Sequence, residues 1–362
     1  MLEKQIKIIV TGCGNMGSSH ARAYHKMPGF NLIGLVDRNV RNREKLSEEL
    51  GGIDQFDDFD AAMISKKPDA VCICTYPDSH ATYAMKALAA GAHVFVEKPL
   101  ALTVEQAGAV VEKAKEKNRK LVVGYILRVH PSWKKFIEIA RTLGKPLVMR
   151  MNLNQQSNED TWPWHLKLMD SMPPIVDCGV HYVDVMCQMT RSRPIRVSAI
   201  GARLSNEIRE DMYNYGQLQV TFEDGSVGWY EAGWGPMMSE VAYFVKDVIG
   251  PQGCISIMDT EQGKGDSDDI DSHTKTNRLK IHFASHDEKE RFSRPDEIIN
   301  TEDEPDHQGL CDLEQEFFLR AIVENMDLTD HQEDAVNSLR IVLAADKSYK
   351  TGRTVELSRG IQ

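Results

Sequence analysis

The chain has 362 residues, 41% of them hydrophobic, which is enough for two domains with sizeable cores and too apolar for a disordered chain. Its 54 acidic against 43 basic residues give a formal net charge of -11, which argues against a nucleic acid or an anionic membrane as main partner. The seven cysteines are an odd number without CxxC or zinc-site spacing, and no apolar leader or bilayer-length run is present, so a cytoplasmic protein in a reducing compartment is expected.

Ile6 to Val10 is an Ile/Val-rich run that reads as a strand. It leads into Gly12-Cys13-Gly14-Asn15-Met16-Gly17 and then into a helical stretch with Ala21, Ala23 and Tyr24. In such a strand, turn and helix unit the glycines serve a tight turn, a close backbone approach to a pyrophosphate and close helix packing, while the helix N-terminus offers N–H groups. Gly12, Gly14, Asn15, Met16 and Gly17 are therefore candidate dinucleotide contacts. A second strand, Leu32 to Val36, ends at Asp37, where a carboxylate would accept from the ribose hydroxyls and repel a 2'-phosphate. NAD is favoured over NADP on that ground. Arg38, with Arg41 and Arg43 behind it, could instead pair with such a phosphate, and Asp37 could merely cap the next helix.

Ala70 to Cys74 reads as a strand with Cys72 and Cys74 as core side chains. Thr75-Tyr76-Pro77-Asp78 follows as a loop whose Asp78 can cap a helix from Ser79 to Ala89. His80, in the first turn of that helix, reads as a packing or hydrogen-bonding residue beside the loop. Val94, Phe95 and Val96 form a short buried strand, with Glu97 and Lys98 at and just past its end, the edge at which a doubly wound sheet binds its ligand. A helix from about Thr103 to Lys117 and a strand from Leu121 to Gly124 complete a parallel sheet with helices on both faces, giving a dinucleotide-binding domain of residues 1–125.

From residue 126 the pattern changes. Tyr125 to Pro131, which includes Arg128, leads into a helix from about Ser132 to Thr142. Strands are expected at Leu147 to Leu153, Ile195 to Ala202, Gly216 to Phe222, Ser226 to Glu231, Val241 to Val248, Cys254 to Met258 and Leu279 to Phe283. Residues 126–362 are thus an α+β domain with a large, mostly antiparallel sheet. Asp259 to Asn277 reads as a solvated acidic loop, because Asp266, Asp268, Asp269 and Asp271 lack the central glycine and closing glutamate of a calcium loop. Leu310, Leu313, Phe317 and Ala321 form one helical stripe, and Val336, Leu339 and Leu343 another.

In Ile175 to Asp184, a helix would set Asp177, His181 and Asp184 on one face and Val176, Val180 and Val183 on another. A buried Asp and His pair is one explanation. A histidine acting as general base with a carboxylate to orient it is the other. Metal ligation would need a further ligand that the spacing does not supply, so no metal is expected.

These stretches resemble the glucose-fructose oxidoreductase and inositol dehydrogenase family (Gfo/Idh/MocA) over essentially the full length. The resemblance rests on Gly12-x-Gly14-x-x-Gly17 with Asp37, Thr75-x-Pro77 with His80, Ala90-Gly91-x-His93-Val94, Glu97-Lys98-Pro99, Gly124 to Pro131 with Arg128, and Asp177-x-Gly179-x-His181. It implies a Rossmann domain and an α+β domain whose sheet mediates homodimers or homotetramers. It also implies a nicotinamide cofactor contacted by Thr75, Tyr76, Pro77, His80, Glu97, Lys98 and Arg128 besides the glycine turn, Asp37 and Arg38. The substrate would be a sugar, glycoside or cyclitol held between Lys98 and the Asp177/His181 helix, and the Lys98–Pro99 peptide could be cis. Two features depart from the family pattern. Ser171-Met172-Pro173-Pro174 stands where glycines usual in the family precede Asp177, and the Trp162-Pro163-Trp164-His165 segment has no counterpart. Trp164 and His165 are carried as substrate-binding candidates, while Trp162, Trp229 and Trp234 read as core.

The resemblance implies hydride transfer between the cofactor and a carbinol, with Lys98 stabilising alkoxide charge, His181 taking the proton, and Asp177 orienting the imidazole or holding a neighbouring hydroxyl, and the sequence leaves Lys98 as the alternative proximate base. Two other classes fit the same motifs: a glycoside-processing enzyme that retains NAD and oxidises only transiently, and a non-catalytic dinucleotide sensor.

Overall fold

The computed structural model describes residues 5–158, 161–239, 245–258 and 274–357. The chain divides into two compact units, Met1–Val129 with Pro305–Val336, and His130–Glu304 with Asn337–Gln362.

The first unit opens with β1 (Ile6–Thr11), α1 (Asn15–Lys26), β2 (Phe30–Val36), α2 (Val40–Glu49), β3 (Gln55–Phe56), α3 (Phe59–Lys66) and β4 (Ala70–Ile73). It continues with α4 (Pro77–Ala89), β5 (His93–Glu97), α5 (Val104–Glu116) and β6 (Leu121–Gly124). All its strands are parallel, in the order β3-β2-β1-β4-β5-β6. Strand order reverses between β1 and β4, so the carboxyl ends of these two strands flank the crevice where a doubly wound sheet takes its ligand. The strands read as near-continuous apolar runs because both faces are covered, and Ile8, Val10, Cys72 and Phe95 are fully or almost fully buried with Tyr24 and Phe318. Helix starts follow local chemistry. Asn39 caps α2, Asp58 caps α3 and Thr103 caps α5 through their side chains. Asp78, expected as a cap, lies inside the first turn of α4 instead, because Pro77 supplies the N1 residue and Tyr76 the cap position.

The second unit contains α6 (Pro131–Thr142), β7 (Val148–Gln156), α7 (Thr161–Leu168), α8 (Pro174–Asp177), α9 (Gly179–Thr190), β8 (Pro194–Ala202), β9 (Tyr215–Phe222) and β10 (Val227–Gly235). It continues with β11 (Lys246–Gly250), β12 (Gly253–Met258), β13 (Arg278–Phe283) and β14 (Glu297–Asn300). Residues 241–244 of the expected strand at Val241 to Val248, and most of the expected acidic loop with Asp266, Asp268, Asp269 and Asp271, lie outside the described residues. Next come α10 (His307–Val323) and α11 (Thr329–Thr351), then β15 (Val355–Glu356). Helix α10 belongs to the first unit, and α11 is divided after Val336.

Nine strands form the second sheet, in the order β14-β13-β12-β11-β7-β10-β9-β8-β15, antiparallel except for the parallel pair β7 and β10. Val220, Gly228, Met149, Val248, Ile255 and Ile281 run in register across six strands. The side chains in that row are 0–6% exposed, so they define the inner face. The next row of the opposite face holds Val227, Val148 and Ile249, each 38–39% exposed. This alternation is what an antiparallel sheet with one core face produces.

The buried face of α10 carries Leu310, Cys311, Glu314, Gln315, Phe318 and Ala321, whereas Leu313 and Phe317 of the expected stripe are only partly buried. The face is turned because Gln315 bonds into the core, which hydrophobicity alone does not reveal. Among the described residues no helix is long and apolar enough to cross a membrane.

Candidate active site

Two positions of the glycine turn in the first unit admit no side chain. Gly12 takes φ +90°, and a Cβ there would collide with the Cys74 carbonyl oxygen, while one at Gly17 would collide with the Gly12 carbonyl. At Gly14 a Cβ would meet nothing within 4 Å, so that residue faces open space. Asn15 and Met16 follow in the first turn of α1, which has no side-chain cap and no acidic residue, leaving its dipole available to an anion.

Asp37 closes this turn from β2. Its Oδ2 accepts from Cys13 N at 2.7 Å and its Oδ1 from Asn39 N at 2.7 Å, and Arg43 Nη1 donates to its carbonyl at 2.8 Å. The helix cap is Asn39, so Asp37 does not fill that role. A carboxylate can accept about four hydrogen bonds, which leaves capacity for ribose hydroxyls. Arg38 is exposed. The neighbouring Cys13 thiol is pushed up to about 12 by burial and then by the Asp37 charge, so it stays protonated and inert.

Beyond β4, Thr75 Oγ1 bonds Ser79 Oγ at 2.6 Å, Tyr76 is 48% exposed and Pro77 starts α4. His80 is fully buried, with Nδ1 2.7 Å from the Pro99 carbonyl and Nε2 2.9 Å from the Thr75 carbonyl. Burial lowers its imidazole below the ordinary histidine value while the two carbonyls oppose that shift, and in the neutral ring only one nitrogen donates, to one of the two turns at a time. Glu97 ends β5, and the turn after it carries Lys98 and the cis Lys98–Pro99 peptide. Glu97 is buried, with Oε1 2.8 Å from His20 Nε2 and Oε2 accepting from Lys98 N at 3.2 Å. Lys98 itself is partly exposed. Arg128, carried as a cofactor contact, pairs with Asp334 of α11 at 2.8 Å.

His20, Cys311 and Glu314 are the one group of three whose ligand atoms are close enough for a metal among the described residues, within 4.8 Å of one another. Both nitrogens of His20 are engaged, by Glu97 and by Gln315, and burial together with Glu97 holds the Glu314 carboxyl well above the usual carboxylate range. These groups fit a hydrogen-bonded core better than a cation site.

In the second unit Asp177 ends α8 and His181 lies in the first turn of α9, with Cys178 between the helices. Pro173 and Pro174 start α8, which accounts for prolines where the family pattern has glycines. Gly179 lets the segment lie close to Tyr230 and Val342, whose side-chain atoms would stand 3.4 and 3.1 Å from a Cβ. Asp177 is 7% exposed, His181 partly exposed, and the fully buried Asp184 accepts from Gln188 Nε2 at 3.0 Å.

Around this turn lies a cluster that spacing did not reveal. Cys178 Sγ stands 3.7 Å from Gln155 Oε1, which also accepts from Trp234 Nε1 at 2.6 Å. Trp234 stacks on His165 at 4.5 Å and 11°, and His165 Nδ1 bonds Ser157 Oγ at 2.8 Å. Trp164 is 52% exposed beside His165, with ring centres 5.0 Å apart. Gln155 and Trp234 are cross-strand partners in the parallel pair, the only signal that joins residues so far apart in sequence.

Residues 6–125 match the model of the oxidoreductase family with NAD-binding Rossmann fold, GFO/IDH/MocA, and residues 134–253 match the GFO/IDH/MocA C-terminal domain. The chain is 27% identical to scyllo-inositol 2-dehydrogenase (NAD(+)) of Bacillus subtilis (strain 168), over 98% of this chain and 97% of that one. It is 30% identical to UDP-N-acetylglucosamine 3-dehydrogenase of Acidithiobacillus ferrooxidans, over 53% of this chain and 56% of that one. Among solved structures, scyllo-inositol dehydrogenase from Lactobacillus casei with bound NAD(H) and scyllo-inositol shares the fold, with a TM-score of 0.75 and 21% identity over 98% of this chain and 99% of that one.

Proposed function

This chain belongs to the GFO/IDH/MocA oxidoreductase family, and on that premise we propose that it is an NAD-dependent dehydrogenase of a sugar, glycoside or cyclitol hydroxyl. The observation that carries the reading is the glycine turn closed by Asp37, in the same parallel sheet that presents Lys98 past the end of β5. NAD, when bound, supplies the hydride acceptor. Gly12, Gly14, Asn15, Met16 and Gly17 hold its pyrophosphate, and Asp37 holds the adenosine ribose. The Thr75, Tyr76 and Pro77 loop, braced by His80, flanks it. Arg38, Glu97 and Arg128 are further contacts to the cofactor in this reading.

Lys98, as an ammonium, stabilises the charge that develops on the substrate oxygen. His181 takes the hydroxyl proton, and Asp177 orients the imidazole or holds a neighbouring hydroxyl. Trp164 and His165 contact the remainder of the substrate, the exposed indole offering an apolar face to a ring. The proposal includes a cytoplasmic setting, supported by seven cysteines that are all free thiols. It also includes a homodimer or homotetramer built on the exposed Val227, Val148 and Ile249 row.

The test is net NADH formation over a panel of aldoses, glycosides and inositols, followed by Lys98→Ala and His181→Ala on the best substrate. Each substitution is expected to lower kcat by roughly 100- to 10,000-fold with NADH affinity retained. Turnover near that of the wild type in either variant would remove that residue from the mechanism.

A further inference from the structure

We infer that His20 is a positioning residue for Lys98, acting through Glu97, and that Gln315 and Tyr24 fix the direction of its hydrogen bonds. The inference deepens the proposed function and rests on the role given there to Lys98. Four buried side chains form one run. The Tyr24 hydroxyl donates to Gln315 Oε1, Gln315 Nε2 donates to His20 Nδ1 at 2.8 Å, and His20 Nε2 donates to Glu97 Oε1 at 2.8 Å. Glu97 Oε2 in turn accepts from the peptide N–H of Lys98 at 3.2 Å. Tyr24, Gln315 and His20 are all 0% exposed, and Glu97 is 8% exposed.

The directions are dictated by chemistry. Burial holds the Tyr24 phenol well above its ordinary value, so it keeps its proton, and because the Glu97 carboxylate can only accept from His20 Nε2, the Gln315 amide turns its nitrogen to Nδ1 and its oxygen to the phenol. The amide nitrogen can only donate, so Nδ1 of His20 must accept and its proton must sit on Nε2, facing Glu97. The reversed amide would place the proton on Nδ1 and set a lone pair against the carboxylate. The edge of the imidazole is also packed on Phe95, with centroids 4.9 Å apart at 62°. Glu97 immediately precedes Lys98 and grips its peptide, so a carboxylate held still from behind fixes the point from which the lysine side chain departs. A buried carboxylate that lost the His20 donor would turn or take up a proton.

The test uses the full-length protein with NADH bound. Lys98 is acylated with trace acetic anhydride, quantified by mass spectrometry against the surface residues Lys86 and Lys115 as internal references. His20→Phe keeps a ring against Phe95 and removes both hydrogen bonds, and it is expected to raise Lys98 labelling about tenfold, as a one-unit fall in amine pKa would. His20→Gln, which restores a donor and an acceptor, should return labelling to within about threefold of wild type. Gln315→Met, which removes the donor to Nδ1, carries the same test should His20→Phe not fold. With scyllo-inositol and NAD as probes, kcat should fall about 30-fold in His20→Phe while NADH affinity stays within about threefold. Unchanged Lys98 labelling in the folded variants overturns the inference. Full turnover by Lys98→Ala would instead remove the catalytic reading of Lys98 and leave the labelling result standing, so the two failures are distinguishable.

Discussion

The two units assemble their polar groups by opposite means. In the first, one turn of main chain shapes the cradle, its conformation set by residues without a Cβ and its closure by a carboxylate from the neighbouring strand. In the second, Gln155, His165, Cys178 and Trp234 come from four separate segments and meet because two parallel strands hold Gln155 opposite Trp234. The tolerance of the first is set by hard contacts at single backbone positions. That of the second is set by side-chain volume and pairing, which mutation erodes gradually.

Substitutions can break or sharpen this contrast. The largest effect is expected for Gly17→Ala, where one methyl collides with the Gly12 carbonyl: NADH affinity, read by fluorescence titration, should fall more than about 100-fold. Affinity within a few fold of wild type would mean that the turn yields, and the contrast would collapse. Trp234→Ala should cost about 3–5 kcal/mol in denaturant unfolding, with NADH binding intact. A cost below about 1 kcal/mol would show that stacking on His165 contributes little. Asp37→Ser should shift the ratio of NADP to NAD affinity by about 10- to 100-fold toward NADP, the value of one or two bonds to a charged acceptor. Tighter NADP binding already in the wild type would overturn the role given to Asp37.

The smallest effect concerns acid. Burial, then Arg119 and Lys120, lower the His93 imidazole to about 4, and its Nδ1 accepts from Lys120 N at 2.9 Å. A native value below the ordinary one of about 6.5 means that the unfolded chain binds the proton first. Stability from this group is therefore full above about pH 6.5 and is lost as pH falls from there toward 4. Thermal melts should decline over that window, and His93→Asn should flatten the decline. Equal slopes in both proteins would assign the acid sensitivity elsewhere.

Gly12, Gly17 and Asp37 were legible because a backbone conformation restricts which residue can stand there, and a restriction at fixed spacing is a pattern. Asp177 and His181 were expected on one face of a single helix, whereas the structure sets them in α8 and α9, with Cys178 between. Gln155 was not legible, because its importance comes from a strand 79 positions away in the chain. Nor could the periodicity of α10 say which unit its buried face would serve. That face holds Glu314 and Gln315, polar residues that an apolar pattern places outside, and the hydrogen bond to His20 puts Gln315 there. The return of residues 305–336 to the first unit is likewise a tertiary fact, invisible to composition.

The alternation along β7 has a consequence for how this protein can change over evolution. Met149 and Met151 belong to the core, and Gln155, farther along the same strand, points to the same side. A one-codon insertion or deletion near the start of β7 would therefore exchange inside for outside at every later position, emptying the hydrophobic interior and dispersing the polar cluster in a single event. A length change in a connection such as residues 203–214, between β8 and β9, leaves that alternation untouched.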